Sequence, residues 1–83
     1  MSWDYRLSGR ALKNLKRFPP KDTAKIFHVL ETMKENPFAG DSKPIQGEEN
    51  LWRRRAMAYR IYFRPSPVNK MLDIPEIERK QSH

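Results

Sequence analysis

Arg53, Arg54, Arg55 and Arg60 stand among apolar and aromatic residues in the stretch LWRRRAMAYRIYF, residues 51–63. A guanidinium is planar, always charged, and presents a fork of donors that fits phosphate oxygens. Unpaired arginines do not stabilise a sheet, so this set reads as a ligand site rather than as scaffold. Arginines projecting from adjacent strands can hold phosphates at two or more points. Trp52, Tyr59, Tyr62 and Phe63 supply rings that stack on bases if they face the same groove. Rings on the opposite side are core instead, and for each ring singly the core is favoured because so short a chain needs its large side chains inside.

Other chemistry has little to stand on. The chain has no cysteine and two histidines, which removes disulfides, thiolate catalysis and any metal cluster built from His and Cys. It has no P-loop and no carboxylate pair flanking a pocket in a recognisable spacing. His28 lies inside an apolar helical stripe and is expected to be structural or on the surface. His83, in ERKQSH, is an ordinary frayed end unless it lies near a phosphate groove, where an imidazole can move a proton at neutral pH. No metal, cofactor or small-molecule ligand is expected.

Seventeen Lys and Arg against ten Asp and Glu give a net charge of +7. With a pI near 10.1, such a field attracts RNA, DNA, an anionic membrane surface or an acidic protein. The opening MSWDYRLSGR lacks the apolar core of a signal peptide, and no apolar run reaches the length of a membrane span. A cytoplasmic protein of one domain, residues 1–83, with no membrane partner, is the expectation.

The elements that must position the arginines follow from periodicity. WDYRL, residues 3–7, alternates as a strand. Ser8 is a helix N-cap, Ala11, Leu12, Leu15 and Phe18 recur at helical spacing, and Pro19-Pro20 ends the run. Pro20 opens a second helix whose apolar stripe is Ile26, Phe27, Leu30 and Met33, stopped by Asn36-Pro37. The short Pro-containing turn between the two folds them into a helical hairpin.

FAGDSKPIQGEEN, residues 38–50, has neither period and reads as an exposed loop. Period two returns at Leu51, with Leu51, Arg53 and Arg55 on one face and Trp52, Arg54 and Ala56 on the other. Tyr59, Ile61 and Phe63 alternate with Arg60, Tyr62 and Arg64 in the next strand. PSP at 65–67 reads as a turn, and KMLDIPEI, residues 70–77, as a last strand with Pro75 at an edge or a bulge. The predicted fold is α+β: β-α-α-β-β-β, a helical hairpin on one face of a small antiparallel sheet, with the other face open. Arg53, Arg55 and Arg60 belong to the open face. Arg54 falls on the helix side, where it must snorkel out or find a carboxylate.

ALKNLKRFP, ENPFAGDSKPIQG, LWRRRAMAYRIYF and IERKQSH, in this order and over nearly the whole chain, resemble the RelE/ParE superfamily of toxins from toxin–antitoxin modules. The corresponding family segments run ALKDLKKLP, ENP..G..L, L.R.RVGDYRIIY and I.HRK..Y. The resemblance implies the RelE-like fold just read, and an open sheet face that enters the ribosomal A site and cuts mRNA. In that reaction a 2′-hydroxyl attacks the adjacent phosphate, the bond to the 5′-oxygen breaks and a 2′,3′-cyclic end forms. It needs a base, a proton donor and positive charge on the phosphorane-like transition state.

Position by position, the resemblance makes Arg60 the contact to the scissile phosphate, as the arginine after the tyrosine of DYR. Arg53 matches a basic position of the preceding strand, Arg79 matches the arginine of HRK, and His83 falls where relatives place a C-terminal Tyr or His. These four are the implied catalytic set, with Arg55, Lys80 and Lys43 binding RNA phosphates. AMA at 56–58 replaces the usual VGD, Leu51 stands where some relatives carry a lysine, and Ile45 where one group has its proposed base. The resemblance therefore supplies no base. It implies as partners a cognate antitoxin, the ribosome and mRNA. Two alternatives accompany the endoribonuclease: a ParE-like inhibitor of DNA gyrase without nuclease chemistry, and an inactive form that only binds antitoxin.

Overall fold

The computed structural model describes residues 2–80. Its elements are β1 (Asp4–Leu7), α1 (Gly9–Arg17), α2 (Pro20–Met33), β2 (Ser42–Pro44), β3 (Trp52–Ala56), β4 (Tyr59–Ser66) and β5 (Met71–Arg79). The helices begin and end where the local chemistry requires. Ser8 is extended, and its hydroxyl accepts from the Ala11 N–H at 3.0 Å. Pro20 opens α2 at a position whose N–H has no helical partner, and Asp22 lies in its first turn, at the positive end of the helix dipole.

The five strands form one sheet in the order β1-β5-β4-β3-β2. It is mixed rather than wholly antiparallel, because β1 pairs in parallel with β5, Asp4 beside Met71 and Leu7 beside Ile74. Parallel neighbours need a long connection, and everything from α1 to β4 provides it. Two local expectations also change. Ser42–Pro44, inside the stretch expected to be loop, adds an edge strand to β3, and an edge tolerates the missing N–H of Pro44. β4 continues through Pro65 and Ser66, where a turn was expected. β3 ends opposite Phe63, so at Pro65 the only neighbouring strand is β5.

Pro75 does lie at a bulge. Tyr62 pairs with Glu76 and Arg64 with Asp73, leaving Ile74 and Pro75 opposite the single residue Phe63. The bulge is tied to the first helix: Ser8 donates its N–H to the Ile74 carbonyl at 3.0 Å and its hydroxyl to the Pro75 carbonyl at 2.7 Å. One extra residue reverses the alternation of the strand. Leu72, Ile74 and Ile77 therefore all face the helices and are fully buried or nearly so, while Asp73, Glu76 and Glu78 share the opposite face.

The core lies between that sheet face and the helices: Ala11 and Leu15 of α1, and Ile26, Leu30 and Met33 of α2, against Ala56, Tyr59, Ile61, Phe63, Leu72, Ile74 and Ile77. Leu12 and Phe27, expected in the helix stripes, are instead 44% and 37% exposed. Among the described residues no helix is long and apolar enough to cross a membrane.

Met57 and Ala58 join β3 to β4, and Met57 has φ = 59°. A positive φ at the first of two turn residues favours glycine, since a Cβ crowds the backbone there. Met57→Gly is expected to stabilise the fold by about 0.5–1 kcal/mol, the relief of strain outweighing the added freedom of the unfolded chain. Urea denaturation checks this as a higher midpoint at unchanged slope.

Candidate nucleic-acid interface

Cross-strand partners share a face of a sheet, so the register assigns each side chain. Trp52 stands opposite Phe63, Arg54 opposite Ile61 and Ala56 opposite Tyr59, all on the helix side. On the open side Arg53 lies between Lys43 and Tyr62, Arg55 is opposite Arg60, and Arg60 is opposite Glu78. The open face thus brings together Lys43, Arg53, Arg55 and Arg60. Lys80 joins them at the end of β5, where its N–H donates to the Ala58 carbonyl at 2.7 Å. A cleft of about 410 Å³ at this end is lined by Arg55, Met57, Ala58, Tyr59, Arg60 and Lys80.

The distribution of charge on this face is unfavourable for the sheet itself. Lys43 beside Arg53 and Arg55 opposite Arg60 are like-charge cross-strand pairs, which destabilise an antiparallel ladder. Among the described residues Arg60 and Arg53 have no carboxylate within salt-bridge distance, and each has a buried Nε without a hydrogen-bond partner. Arg55 reaches Asp41 only at 4.0 Å, with both side chains about half exposed. An anion between these cations removes the repulsion.

Beyond β4 the same face turns acidic. Asp73 is paired with Arg6 at 2.8 Å and Glu76 with Arg10 at 3.8 Å. Glu78 accepts from the Tyr62 hydroxyl at 2.8 Å. Burial, together with this hydrogen bond to Glu78, raises the Tyr62 pKa above its ordinary value against the opposing pull of Arg60, so the phenol keeps its proton and remains a donor. Tyr62 is therefore the ring on the open face. Tyr59 and Phe63 are core, with Tyr59 donating to Asp22 at 2.6 Å.

Arg79, Arg54 and His28, all singled out from sequence, lie elsewhere. Arg79 is opposite Tyr59, on the helix side, with its guanidinium 6.0 Å from the centre of that ring, so the fold does not bring it together with Arg60. Lys80, one residue on, is the basic group of β5's end that faces the arginine set. His83 lies outside the described residues. Arg54 does snorkel: it donates to the Ala39 carbonyl at 3.0 Å, and its guanidinium packs over Gly40 so closely that a Cβ there would lie 2.7 Å from Cζ. His28 is on the surface of α2. What sequence reasoning missed is the acidic side of the site, Glu76 and Glu78. Their spacing of two is the strand signal, but only the bulge at Pro75 turns them toward Arg60.

No protein-family model matches the sequence. The candidate toxin RelE1 of Methanocaldococcus jannaschii is 27% identical over 84 aligned positions, covering 98% of this chain and 93% of that protein. Among solved structures, a chain of the RelBE2 toxin–antitoxin complex of Mycobacterium tuberculosis superimposes with a TM-score of 0.88 at 18% identity, covering 96% of this chain and 100% of the other. A chain of the archaeal RelE–RelB complex of Pyrococcus horikoshii gives 0.84 at 16% identity, with both chains covered completely. The chain is RelE-like in fold, and along nearly all of its length it resembles a RelE toxin in sequence.

Proposed function

We propose that this chain is the toxin of a type II toxin–antitoxin module and that it acts in the cytoplasm as an endoribonuclease on ribosome-bound mRNA. The observation that carries the proposal is the pair of like-charge contacts on the open sheet face, Lys43 beside Arg53 and Arg55 opposite Arg60. A sheet that accepts this repulsion is built for a polyanion, and Tyr62 offers a ring beside it for a base. Cleavage by the neighbouring 2′-hydroxyl concentrates negative charge on the phosphorane-like transition state. Arg60, a permanent cation on this face with no salt bridge among the described residues, supplies positive charge where those oxygens gain negative charge. Arg53, Arg55, Lys43 and Lys80 hold the flanking phosphates.

The net charge of +7, together with the likeness to toxins solved in complex with antitoxins, supports an acidic antitoxin as the partner that silences this surface. Inducing the chain in a bacterial host while following labelled methionine and thymidine incorporation tests the proposal. Protein synthesis is expected to stop first, with plasmid supercoiling unchanged. Early loss of supercoiling with intact mRNA would instead identify a gyrase inhibitor.

A further inference from the structure

We propose that Glu78 is the general base of the cleavage, accepting the proton of the attacking 2′-hydroxyl on its free carboxylate oxygen, an inference that rests on the ribonuclease function proposed above. β5 carries three acids on the open face, and two already have cations: Asp73 has Arg6 and Glu76 has Arg10. Glu78 has none within salt-bridge distance among the described residues. Its one side-chain hydrogen bond comes from a neutral phenol, Tyr62, to Oε1. Oε2 is left as an acceptor, directly across the ladder from Arg60.

A carboxylate without a cation beside a phosphate-binding arginine weakens RNA binding by simple repulsion. Its presence is explained if it takes up a proton during the reaction. The arrangement also supplies what the arginines lack, since a guanidinium stays protonated and cannot act as a base. Tyr62 fixes the rotamer of Glu78 and, with its raised pKa, does so as a donor across the neutral range. The groups around Glu78 are Arg60, Tyr62 and Arg64 of β4, Glu76 of β5 and Lys80 at its end, and Arg10 of α1, which lines the same cleft.

In the step itself, the O–H bond of the 2′-hydroxyl breaks and its proton passes to Oε2. The 2′-oxygen bonds to phosphorus, the P–O5′ bond breaks with its electron pair on the 5′-oxygen, and that oxygen takes a proton from solvent water. Glu78 then returns its proton to water. Atoms and charge balance, and no oxidant or further reactant enters.

The test is single-turnover cleavage of mRNA on purified ribosomes at neutral pH, toxin in excess, for wild type, Glu78→Gln and Glu78→Asp. Ribosome pelleting and melting temperatures are measured alongside. Glu78→Gln is close in shape and keeps an acceptor for Tyr62. It is expected to bind ribosomes, to melt as wild type does, and to cleave about 10²-fold or more slowly. Glu78→Asp, which keeps a carboxylate on a shorter stem, is expected to cleave at an intermediate rate, and a rate as low as that of Glu78→Gln with ribosome binding lost would assign Glu78 to binding instead. A Glu78→Gln protein that cleaves as fast as wild type, or faster, overturns the assignment while leaving the ribonuclease proposal standing. Failure of wild type to cleave on ribosomes overturns both.

Discussion

Replacing Arg60 with alanine is expected to slow mRNA cleavage by about 10²–10³-fold, the loss typical of removing one pre-aimed donor from a developing anion. Stability is expected to change by no more than about 0.5 kcal/mol, as for a substitution that breaks no packing or pairing. Both halves follow from the same geometry. Arg60 forms no ion pair within the described residues, its Nε has no acceptor, and its cross-strand partner on β3 is another arginine. Its removal breaks no salt bridge among the described residues, and the relieved repulsion from Arg55 offsets the lost attraction to Glu78 across the ladder. Cleavage rates measured beside thermal melts check the pair of outcomes. Undiminished cleavage by a folded Arg60→Ala protein would remove the phosphate contact from the proposed site.

Phe63→Ala is expected to do the reverse. Phe63 is fully buried at the one position of β4 that faces the Pro75 bulge, with ring centres of Trp52 and Phe38 at 6.2 and 6.4 Å. Truncating a buried phenylalanine costs about 3–5 kcal/mol in lost transfer energy and residual cavity. A domain of 83 residues has roughly 4–12 kcal/mol of stability in total. The variant is therefore expected to lie near or past its unfolding midpoint at 37 °C, with growth inhibition lost through depletion of folded protein. Urea denaturation followed by tryptophan fluorescence measures the loss directly. A cost below about 1 kcal/mol would mean that the aromatic cluster is not a closed core.

The contrast between these two residues, three positions apart in one strand and on opposite faces, shows which parts of the structure were legible beforehand. Both helices were, because Ser8, the Pro19-Pro20 step and Asn36-Pro37 mark their ends by local chemistry. β3 and β4 were legible through alternation, and that alternation alone assigned Arg53, Arg55 and Arg60 to the open face. β2 was not, since three residues with no period become a strand only by pairing with β3. The parallel pairing of β1 with β5 depends on contacts some 67 positions apart, as between Tyr5 and Leu72, and no local pattern encodes it. Leu12 and Phe27 fit their helical stripes by spacing but fall at the margin of a face too narrow to cover them.

The bulge had the largest consequence. Strict alternation from Leu72 would bury Glu76 and Glu78 and expose Ile77. The extra residue at Pro75 reverses this, so the same shift that buries Ile77 sends Arg79 to the helix side and turns Glu78 toward Arg60. Pro75 was readable as an edge or a bulge, but which residues it would redirect depended on the register with β4.

Primer extension on an mRNA translated in a purified system, with this protein, without it, and with the ribosomes omitted, tests most directly whether the open face is a ribosome-dependent nuclease site. New stops that require both the protein and the ribosomes, and that disappear with Arg60→Ala, are the predicted result. Full-length mRNA in every lane, with translation continuing, would contradict it.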